Sequence, residues 1–221
     1  MKTVAVIPAY NESAHIAEVV SGCRGHGLDV IVVNDCSTDE TASAAEAAGA
    51  RVVSHETNRG KGAGLETGRA AAREAGFESM LTLDGDGQHS PDDVPAILAA
   101  AEETDADMVI GTRMGDISTM PFVRRCTNRF MSWFITKLAR TRVTDSQSGF
   151  RLIKLVLFDE IKVASEHFDA ESEIIIKAGR AGKRIVEVPV RTIYGDERSK
   201  IRPVRDTVRF IRLVIRIWRG K

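Results

Sequence analysis

Short apolar runs of strand length alternate with alanine-rich stretches of helical length through the first half of the chain. The runs TVAVIP, DVIVVND, ARVVS, ESMLTLD and ADMVIG are nearly continuous, which is typical of parallel strands covered on both faces. The helical stretches between them are residues 13–23, 38–48, 62–75 and 92–102. This alternation predicts an open α/β fold, with a mostly parallel, Rossmann-like sheet and helices on both faces.

Composition and charge argue against several classes of protein. A chain of 221 residues that is 43% hydrophobic can bury its own core. Lys plus Arg and Asp plus Glu both number 31, so no net charge indicates a nucleic-acid partner. The 3 cysteines form no C-x-x-C pair, which argues against a zinc knuckle or a disulfide framework. The first apolar run is too short for a signal peptide and no run approaches the roughly 18 apolar residues of a membrane span, so we expect a cytoplasmic protein.

Charged residues follow the predicted strands at the edge where α/β sheets bind ligands. Asp35 follows the second run, Asp84 and Asp86 follow the fourth in DGDGQHSPDD, and Lys61 lies in the loop NRGKGAGLETG. An isolated D-x-D is most often a solvated turn. Carboxylates beside a cationic loop, however, suit a nucleoside diphosphate with Mg²⁺ or Mn²⁺. Neither G-x-G-x-x-G nor a Walker motif is present, which argues against a dinucleotide-binding oxidoreductase and a P-loop protein.

The histidines supply one further metal candidate. His89 follows the acidic turn closely enough to be a third metal ligand, although a plain loop role is equally compatible with its position. His15, His26 and His55 form no metal-like pair, so we expect them at the surface.

The segment after the fifth apolar run combines cations with aromatic residues. Arg113 directly follows that run, where a guanidinium can bind a phosphate through two hydrogen bonds. PFVRRCTNRFMSWFITKLAR then mixes arginines with phenylalanines and a tryptophan. In isolation this stretch would be an amphipathic core helix. Its position after Arg113 favours a site for an anionic head group with a lipid tail.

Eight motifs together resemble one enzyme family. PAYNE, VNDCSTDET, NRGKGAGLETG, DGDGQHSPDD, GTR, DSQSGFR, FDAE and VEVPV occur in the order found in family 2 inverting glycosyltransferases with the nucleotide-sugar-binding GT-A fold. The chain looks most similar to polyprenyl-phosphate glycosyltransferases of the dolichol-phosphate mannose synthase type, over residues 3 to about 201. The resemblance implies inverting transfer of a hexose from GDP-mannose or UDP-glucose to a polyprenyl or dolichyl phosphate, with Mg²⁺ or Mn²⁺ as cofactor.

The resemblance also implies roles on the donor side. The first-strand loop and Asp35 would hold the nucleoside, Lys61 would lie beside the base, and Gln88 would lie beside the sugar. Asp84 and Asp86 would approach the ribose and the metal-bound diphosphate as metal ligands. This turn reads D-G-D-G-Q where the family often has D-A-D-L-Q, which loosens the backbone without removing a ligand. The donor-binding residues are then Pro8, Ala9, Tyr10, Glu12, Asp35, Lys61, Asp84, Asp86 and Gln88.

On the acceptor side, the resemblance implies that Arg113 and Arg125 contact an acceptor phosphate, with Asn128 beside them. A phosphate monoester is already anionic and needs chiefly orientation, so a weak base or none would suffice. The catalytic groups would be Asp86, Arg113 and, where a carboxylate assists, Asp145. A loop after VEVPV resembles a lid over the donor, although a solvated linker is the alternative. Its phosphate-facing residues are Arg198, Ser199 and Lys200.

Several of these assignments have structural alternatives. Tyr10 is also compatible with a packed aromatic, and Glu12 with a surface acid near a helix start. Asp145 could act in catalysis or could anchor its loop through Arg151. The two acids of FDAE could shape the acceptor pocket or cap a helix.

Residues 1–201 are expected to form the glycosyltransferase domain, with a nucleotide-sugar part at 1–111 and an acceptor part at 112–201. Residues 202–221 carry arginines at helical spacing, which predicts a basic amphipathic C-terminal helix. Such a helix could lie on an anionic membrane, dock on a separate membrane subunit, or simply pack on the domain. We expect a peripheral enzyme on the cytoplasmic face of the membrane. The alternatives are a transferase for a soluble sugar or polysaccharide, and a non-catalytic nucleotide-sugar-binding protein.

Overall fold

The computed structural model describes residues 1–115, 122–161, 163, 169–191 and 193, and it confirms the predicted α/β architecture. The strands are β1 (Thr3–Ala9), β2 (Asp29–Asn34), β3 (Arg51–Ser54), β4 (Ser79–Thr82), β5 (Met108–Thr112), β6 (Arg151–Lys154) and β7 (Ile185–Pro189). The helices are α1 (Ile16–Gly25), α2 (Thr41–Ala47), α3 (Lys61–Glu74), α4 (Val94–Thr104), α5 (Phe122–Ala139), α6 (Leu157–Glu160) and α7 (Asp169–Arg180).

The described strands form a seven-stranded sheet in the order β3-β2-β1-β4-β6-β5-β7. All neighbouring pairs are parallel except those that β6 makes with β4 and β5. Because β6 runs in the opposite direction, its first residue, Arg151, lies at the same edge as the last residues of β4 and β5. Arg151 pairs with Thr82 on one side and Ile110 on the other. That edge collects nearly all the residues discussed below.

Both faces of the sheet are covered, which explains the continuous apolar runs. In β1, the residues from Val4 to Ile7 are all 0% exposed. Val4 and Val6 belong to the core beneath α3, α5 and α7, whereas Ala5 and Ile7 belong to the core beneath α1 and α4. Alternate side chains of one strand therefore supply two separate cores.

The five apolar runs and the four helical stretches predicted before residue 112 are all present, with ends shifted by a few residues. β6 and β7 are the strands that the five apolar runs did not predict. The β6 sequence RLIK is short and charged at both ends, so its pairing with β4 and β5 on either side is what makes it a strand. β6 and β7 add to the same sheet as β1–β4, so residues 1–111 and 112–191 share one sheet.

Two predictions lie outside the described residues. These are the lid residues Arg198, Ser199 and Lys200, and the C-terminal helix at 202–221. In the part of the chain that is described, no helix has the length and apolarity needed to cross a membrane.

Close packing of α3 on the sheet predicts a specific effect of substitution. A Cβ added to Gly68 would lie 2.3 Å from Val6 Cγ1, so Gly68→Ala should lower the free energy of unfolding by about 1–3 kcal/mol through overpacking. Gly25→Ala in α1, where a Cβ would meet no atom within 4 Å, is the matched control and should be neutral or slightly stabilising. Urea denaturation of both variants measures this difference, and equal stabilities would contradict it.

Candidate active site

The turn after β4, residues 83–89, holds the predicted metal carboxylates at the carboxyl edge of the sheet. Gly87 has φ +71°, a left-handed conformation that glycine adopts without strain. The Asp86 carboxylate accepts a hydrogen bond from the backbone N–H of Gln88 at 3.0 Å. A Cβ on Gly85 would lie 3.3 Å from Glu12 Cγ, so the loop after β1 packs directly on this acidic turn. The structure thus brings Glu12, Asp86 and Gln88 together, as predicted for donor-side residues.

Lys61 joins three parts of the chain at this edge. Its Nζ lies 2.5 Å from Asp84 Oδ1 and 3.3 Å from Glu171 Oε2. Lys61 begins α3, Asp84 follows β4 and Glu171 lies in α7, so one ammonium connects the two halves of the chain. The Lys61 side chain therefore contacts the acidic turn, whereas the resemblance placed it beside the base.

The charges in this cluster stabilise each other. Burial by itself lowers the pKa of the Lys61 ammonium, but Asp84 and Glu171 raise it above its usual value. Burial also opposes ionisation of Asp84, yet the charge of Lys61 and the nearby His89 ring hold the pKa of that carboxyl well below its usual range. A Cβ on Gly149 would lie 2.6 Å from Asp84 Oδ2, so the absence of a side chain there lets the loop before β6 approach the pair.

His89 supports Asp84 from the buried side of the turn. Its side chain is 3% exposed, its Nε2 lies 3.7 Å from Asp84 Oδ2, and its ring packs against that of Phe150 with centroids 5.4 Å apart. Its Nδ1 is buried and has no hydrogen-bond partner among the described residues.

The acidic turn fits a metal ion that is shared with a diphosphate. Within the described ranges, no group of three or more His, Cys, Asp or Glu side chains is arranged to hold a metal, so His89 does not complete a ligand set with Asp84 and Asp86. Mg²⁺, however, is commonly bound by one or two carboxylates together with substrate phosphates. Asp84, which also pairs with Lys61, and Asp86 are the candidates for the protein ligands.

Asp35, at the end of β2, holds the loop that leads into α3. Its carboxylate accepts hydrogen bonds from the backbone N–H groups of Arg59 at 2.8 Å and Gly60 at 2.7 Å. His55 Nδ1 lies 2.8 Å from the same carboxylate, and both side chains are 6% exposed. Asp35 thus shapes the donor side through this loop, and the expectation that His55 is a surface residue is wrong.

The residues at the end of β1 and in the loop after it differ in how exposed their side chains are. Tyr10 is 41% exposed at the sheet edge, and Glu12 is partly exposed. Ala9 is 2% exposed, and Pro8 packs on α3, where a Cβ on Gly64 would lie 3.0 Å from Pro8 Cβ. The side chains of Tyr10 and Glu12 are therefore open to a ligand, whereas those of Pro8 and Ala9 mainly support the strand.

A second buried ion pair organises the acceptor side. Arg113 donates from Nε to Asp145 Oδ2 at 2.8 Å and from Nη2 to Oδ1 at 2.9 Å, and its backbone N–H also donates to Oδ2. Asn128 Nδ2, from α5, donates to Asp145 Oδ1 at 2.8 Å. Arg113 and Asn128 therefore lie close together, as predicted. Their shared partner in the structure is the Asp145 carboxylate, whereas the prediction was an acceptor phosphate.

The contacts of Asp145 make it an anchor. Its residue is 0% exposed, and although burial raises the pKa of its carboxyl, the hydrogen bonds and charge of Arg113 lower the pKa below its usual value. The anchoring partner is Arg113, so the predicted link through Arg151 is wrong. Arg151 donates instead to the carbonyl oxygens of Ser146, Ser148 and Glu171.

Helix α5 has a buried polar end and an exposed aromatic face. Asn128 is 4% exposed, whereas Phe130 and Trp133 are 63% and 57% exposed, with ring centroids 6.3 Å apart. Arg125 is partly buried one turn before Arg129, which is exposed. The helix therefore carries arginines beside exposed aromatic rings.

Sequence reasoning missed His55, its partner Thr67 and the close approach of Gly149. His55 directly follows the third apolar run, ARVVS, and this position at the ligand-binding edge was the available signal. Thr67 and Gly149 carry no comparable signal, because their importance depends on contacts across the fold.

A mostly parallel α/β sheet with an acidic turn and a lysine-bearing loop at its carboxyl edge is typical of α/β proteins that bind ligands at that edge. Residues 4–168 match the family described as glycosyl transferase family 2, and the chain belongs to this family. The chain is 32% identical over 215 residues to UDP-N-acetylglucosamine–dolichyl-phosphate N-acetylglucosaminyltransferase of Methanococcus voltae, a match that covers 86% of this chain and 84% of that protein.

A further relative agrees with this assignment, and a solved structure agrees with the fold. Undecaprenyl-phosphate mannosyltransferase of Micrococcus luteus is 29% identical over 203 residues, which cover 86% of this chain and 83% of that protein. The structure of glucosyl-3-phosphoglycerate synthase from Mycobacterium tuberculosis in complex with Mg²⁺ and uridine diphosphate has a TM-score of 0.69 at 23% identity, over 93% of this chain and 74% of that chain. The predicted family, the GT-A fold and the glycosyltransferase class are thereby confirmed.

The anchoring role of Asp145 predicts a pH-dependent effect of its substitution. Asp145→Asn should lower the free energy of unfolding by about 3 kcal/mol at pH 7, because Arg113 is left buried without a countercharge. Since the pKa of Asp145 is lowered in the folded chain, its stabilising contribution is present above the unfolded value of about 3.9 and is lost as the pH falls below it.

The difference between wild type and Asp145→Asn should therefore shrink below about pH 4. Urea denaturation at pH 7 and at lower pH measures it, with the exposed Asp29→Asn as the control. A variant as stable as wild type at pH 7 would show that Asp145 is not an anchor.

Proposed function

We propose that this glycosyltransferase transfers a hexose, with inversion, from GDP-mannose or UDP-glucose to a polyprenyl phosphate. Relatives from Methanococcus voltae and Micrococcus luteus that cover most of this chain are named as dolichyl-phosphate and undecaprenyl-phosphate transferases. These names support a lipid phosphate as the acceptor.

The observation that carries the proposal is the full engagement of Asp145. A sugar hydroxyl as acceptor needs a general base, and Asp145 was the carboxylate that the sequence offered for that role. In the structure, Arg113 and Asn128 occupy its oxygens, and Glu171 pairs with Lys61. An acceptor that is already anionic needs no proton removed, so this arrangement favours a phosphate over a hydroxyl.

The donor side supplies charge where the diphosphate leaves. Asp86, with Asp84, would hold Mg²⁺ or Mn²⁺, and the metal would stabilise the negative charge that develops on the leaving diphosphate. Lys61 pairs with Asp84 and so would hold this turn in place for donor binding. Tyr10 and Glu12 would contact the nucleoside from the β1 side, and Gln88 would contact the sugar.

The acceptor side combines cations with an apolar surface. Arg125 and Arg113 would attract the acceptor phosphate, with the Arg113 side chain held in place by Asp145. The exposed rings of Phe130 and Trp133 offer an amphipathic surface of the kind that lies at membrane interfaces, where a polyprenyl chain is embedded. We infer a peripheral position on the cytoplasmic face of the membrane, with residues 202–221 as a second contact to the membrane or to a membrane subunit.

A transfer assay tests the proposal directly. Wild type should convert one of the two nucleotide sugars and a short polyprenyl phosphate into a sugar-linked lipid phosphate of inverted anomeric configuration, in a reaction that chelation of divalent metal stops. Mass spectrometry and NMR of the product measure this. Transfer only to a soluble sugar, or binding without turnover, would contradict the proposal.

The acidic turn should separate chemistry from donor binding. Asp86→Ala should reduce turnover at least about 100-fold while the fold is retained, because the leaving diphosphate loses its metal ligand. Asp84→Ala should also weaken donor binding, since Lys61 loses one of its two carboxylate partners and the turn is no longer tied to α3. The exposed Asp29→Ala at the opposite edge of the sheet is the control. Near-normal turnover by folded Asp86→Ala at saturating donor would be inconsistent with this assignment.

Helix α5 should affect the acceptor far more than the donor. Arg125→Ala should raise KM for the lipid phosphate about tenfold, which is the loss expected for one charged hydrogen bond, and leave KM for the nucleotide sugar nearly unchanged. Arg129→Ala, one turn away and exposed, is the matched control. Steady-state kinetics with each substrate varied in turn measures both constants, and equal rises in both would place Arg125 on the donor side.

A further inference from the structure

His55 is a buried, titratable residue at the donor edge that the proposed transfer does not use. Its Nδ1 lies 2.8 Å from Asp35 Oδ1, and its Nε2 lies 2.9 Å from Thr67 Oγ1. Because a carboxylate can only accept, Nδ1 carries a proton in this arrangement, and Nε2 makes the second hydrogen bond, with the Thr67 hydroxyl. The ring cannot turn without breaking a hydrogen bond at one end or the other.

The Asp35 carboxylate transmits this constraint to the next loop. It accepts from the backbone N–H groups of Arg59 and Gly60, and Asn58 Nδ2 donates to the Asp35 carbonyl oxygen at 3.3 Å. Gly60 has φ +87°, and Lys61 follows it directly. The orientation of the Asp35 side chain therefore sets the path of residues 58–60 and the direction in which Lys61 leaves the loop.

The loop ends at the acidic turn, which gives His55 a path to the donor site. Lys61 Nζ lies 2.5 Å from Asp84 Oδ1, so the chain of contacts runs from Thr67 through His55 and Asp35 to the loop and then to the turn. The links between side chains, and from the Asp35 carboxylate to the loop, are partly buried hydrogen bonds and an ion pair. A shift of the Asp35 carboxylate would move the Lys61 ammonium relative to the turn.

We propose that His55 is a positioning residue of the donor site, which fixes Asp35 and thereby the loop that carries Lys61. The proposal rests on the proposed function only for the identity of the ligand as a nucleotide. His55 touches no reacting group, so its loss weakens nucleotide binding and leaves the chemical step at saturating donor almost unchanged.

Three variants separate positioning from mere structural support. His55→Phe keeps the ring but removes both hydrogen bonds, and it should raise both the Kd for the nucleotide and the donor KM about tenfold, with kcat within about twofold of wild type. His55→Asn places an amide N–H near the position of Nδ1, and it should restore most of the affinity. Thr67→Val keeps the Asp35 contact and frees only the far end of the ring, so its effect should be about threefold.

Calorimetric titration with UDP and GDP in the presence of Mg²⁺ measures the Kd for the nucleotide. Steady-state kinetics with the donor varied measures the donor KM and kcat. His26→Phe, the same change at an exposed histidine, is the control. Folded His55→Phe with wild-type affinity would overturn the inference, as would a fall in kcat with unchanged KM or a failure of His55→Asn to improve on His55→Phe. Since the titration needs no acceptor, wild type that binds nucleotide but transfers nothing to a lipid phosphate would reject the proposed function alone.

Discussion

The ion pair between Lys61 and Asp84 is the contact on which the donor side of the structure depends. Neither charge is fully hydrated, and in such surroundings each is stable chiefly because the other is present. The pair exists because the first residue of α3, the turn after β4 and Glu171 of α7 meet at one point. Any displacement of one of these elements would leave a charge without its partner, so the pair couples the positions of all three.

The same edge of the sheet holds a second ion pair, between Arg113 and Asp145, which is more deeply buried. The two pairs differ in what they leave accessible. Asp84 keeps a 29% exposed side chain, whereas that of Asp145 is 0% exposed. The first pair can therefore exchange its partner for an incoming ligand, while the second holds the polypeptide in shape. Burial therefore explains why Asp145, which lies in a motif of the family, can be an anchor.

Local pattern was sufficient for most of the fold but only for part of the site. The five apolar runs before residue 112 became strands because continuous burial has a visible signature, whereas β6 reads as a short charged segment until its neighbours are known. At the site, the sequence placed Asp84, Asp86 and Arg113 at the correct edge, because strand ends determine where such residues lie. It could not assign partners such as Arg113 for Asp145 or Asp84 for Lys61, since those depend on distances between segments far apart in the chain.

The antiparallel strand β6 also constrains how the polypeptide can assemble. In the sheet, β5 pairs with β6 on one side and with β7 on the other, and neither β5 nor β7 pairs with β4. The strands β3, β2, β1 and β4 can pair as soon as the first 82 residues exist, but β4 then presents an open edge until residues 151–154 arrive. Inserting that strand closes a loop of about 70 residues, and such long-range closure is slow compared with local pairing. A chain still bound to the ribosome would therefore carry the four strands β3, β2, β1 and β4 with the edge of β4 unpaired. Such an open edge can pair with other chains, and this risk ends when β6 pairs with β4.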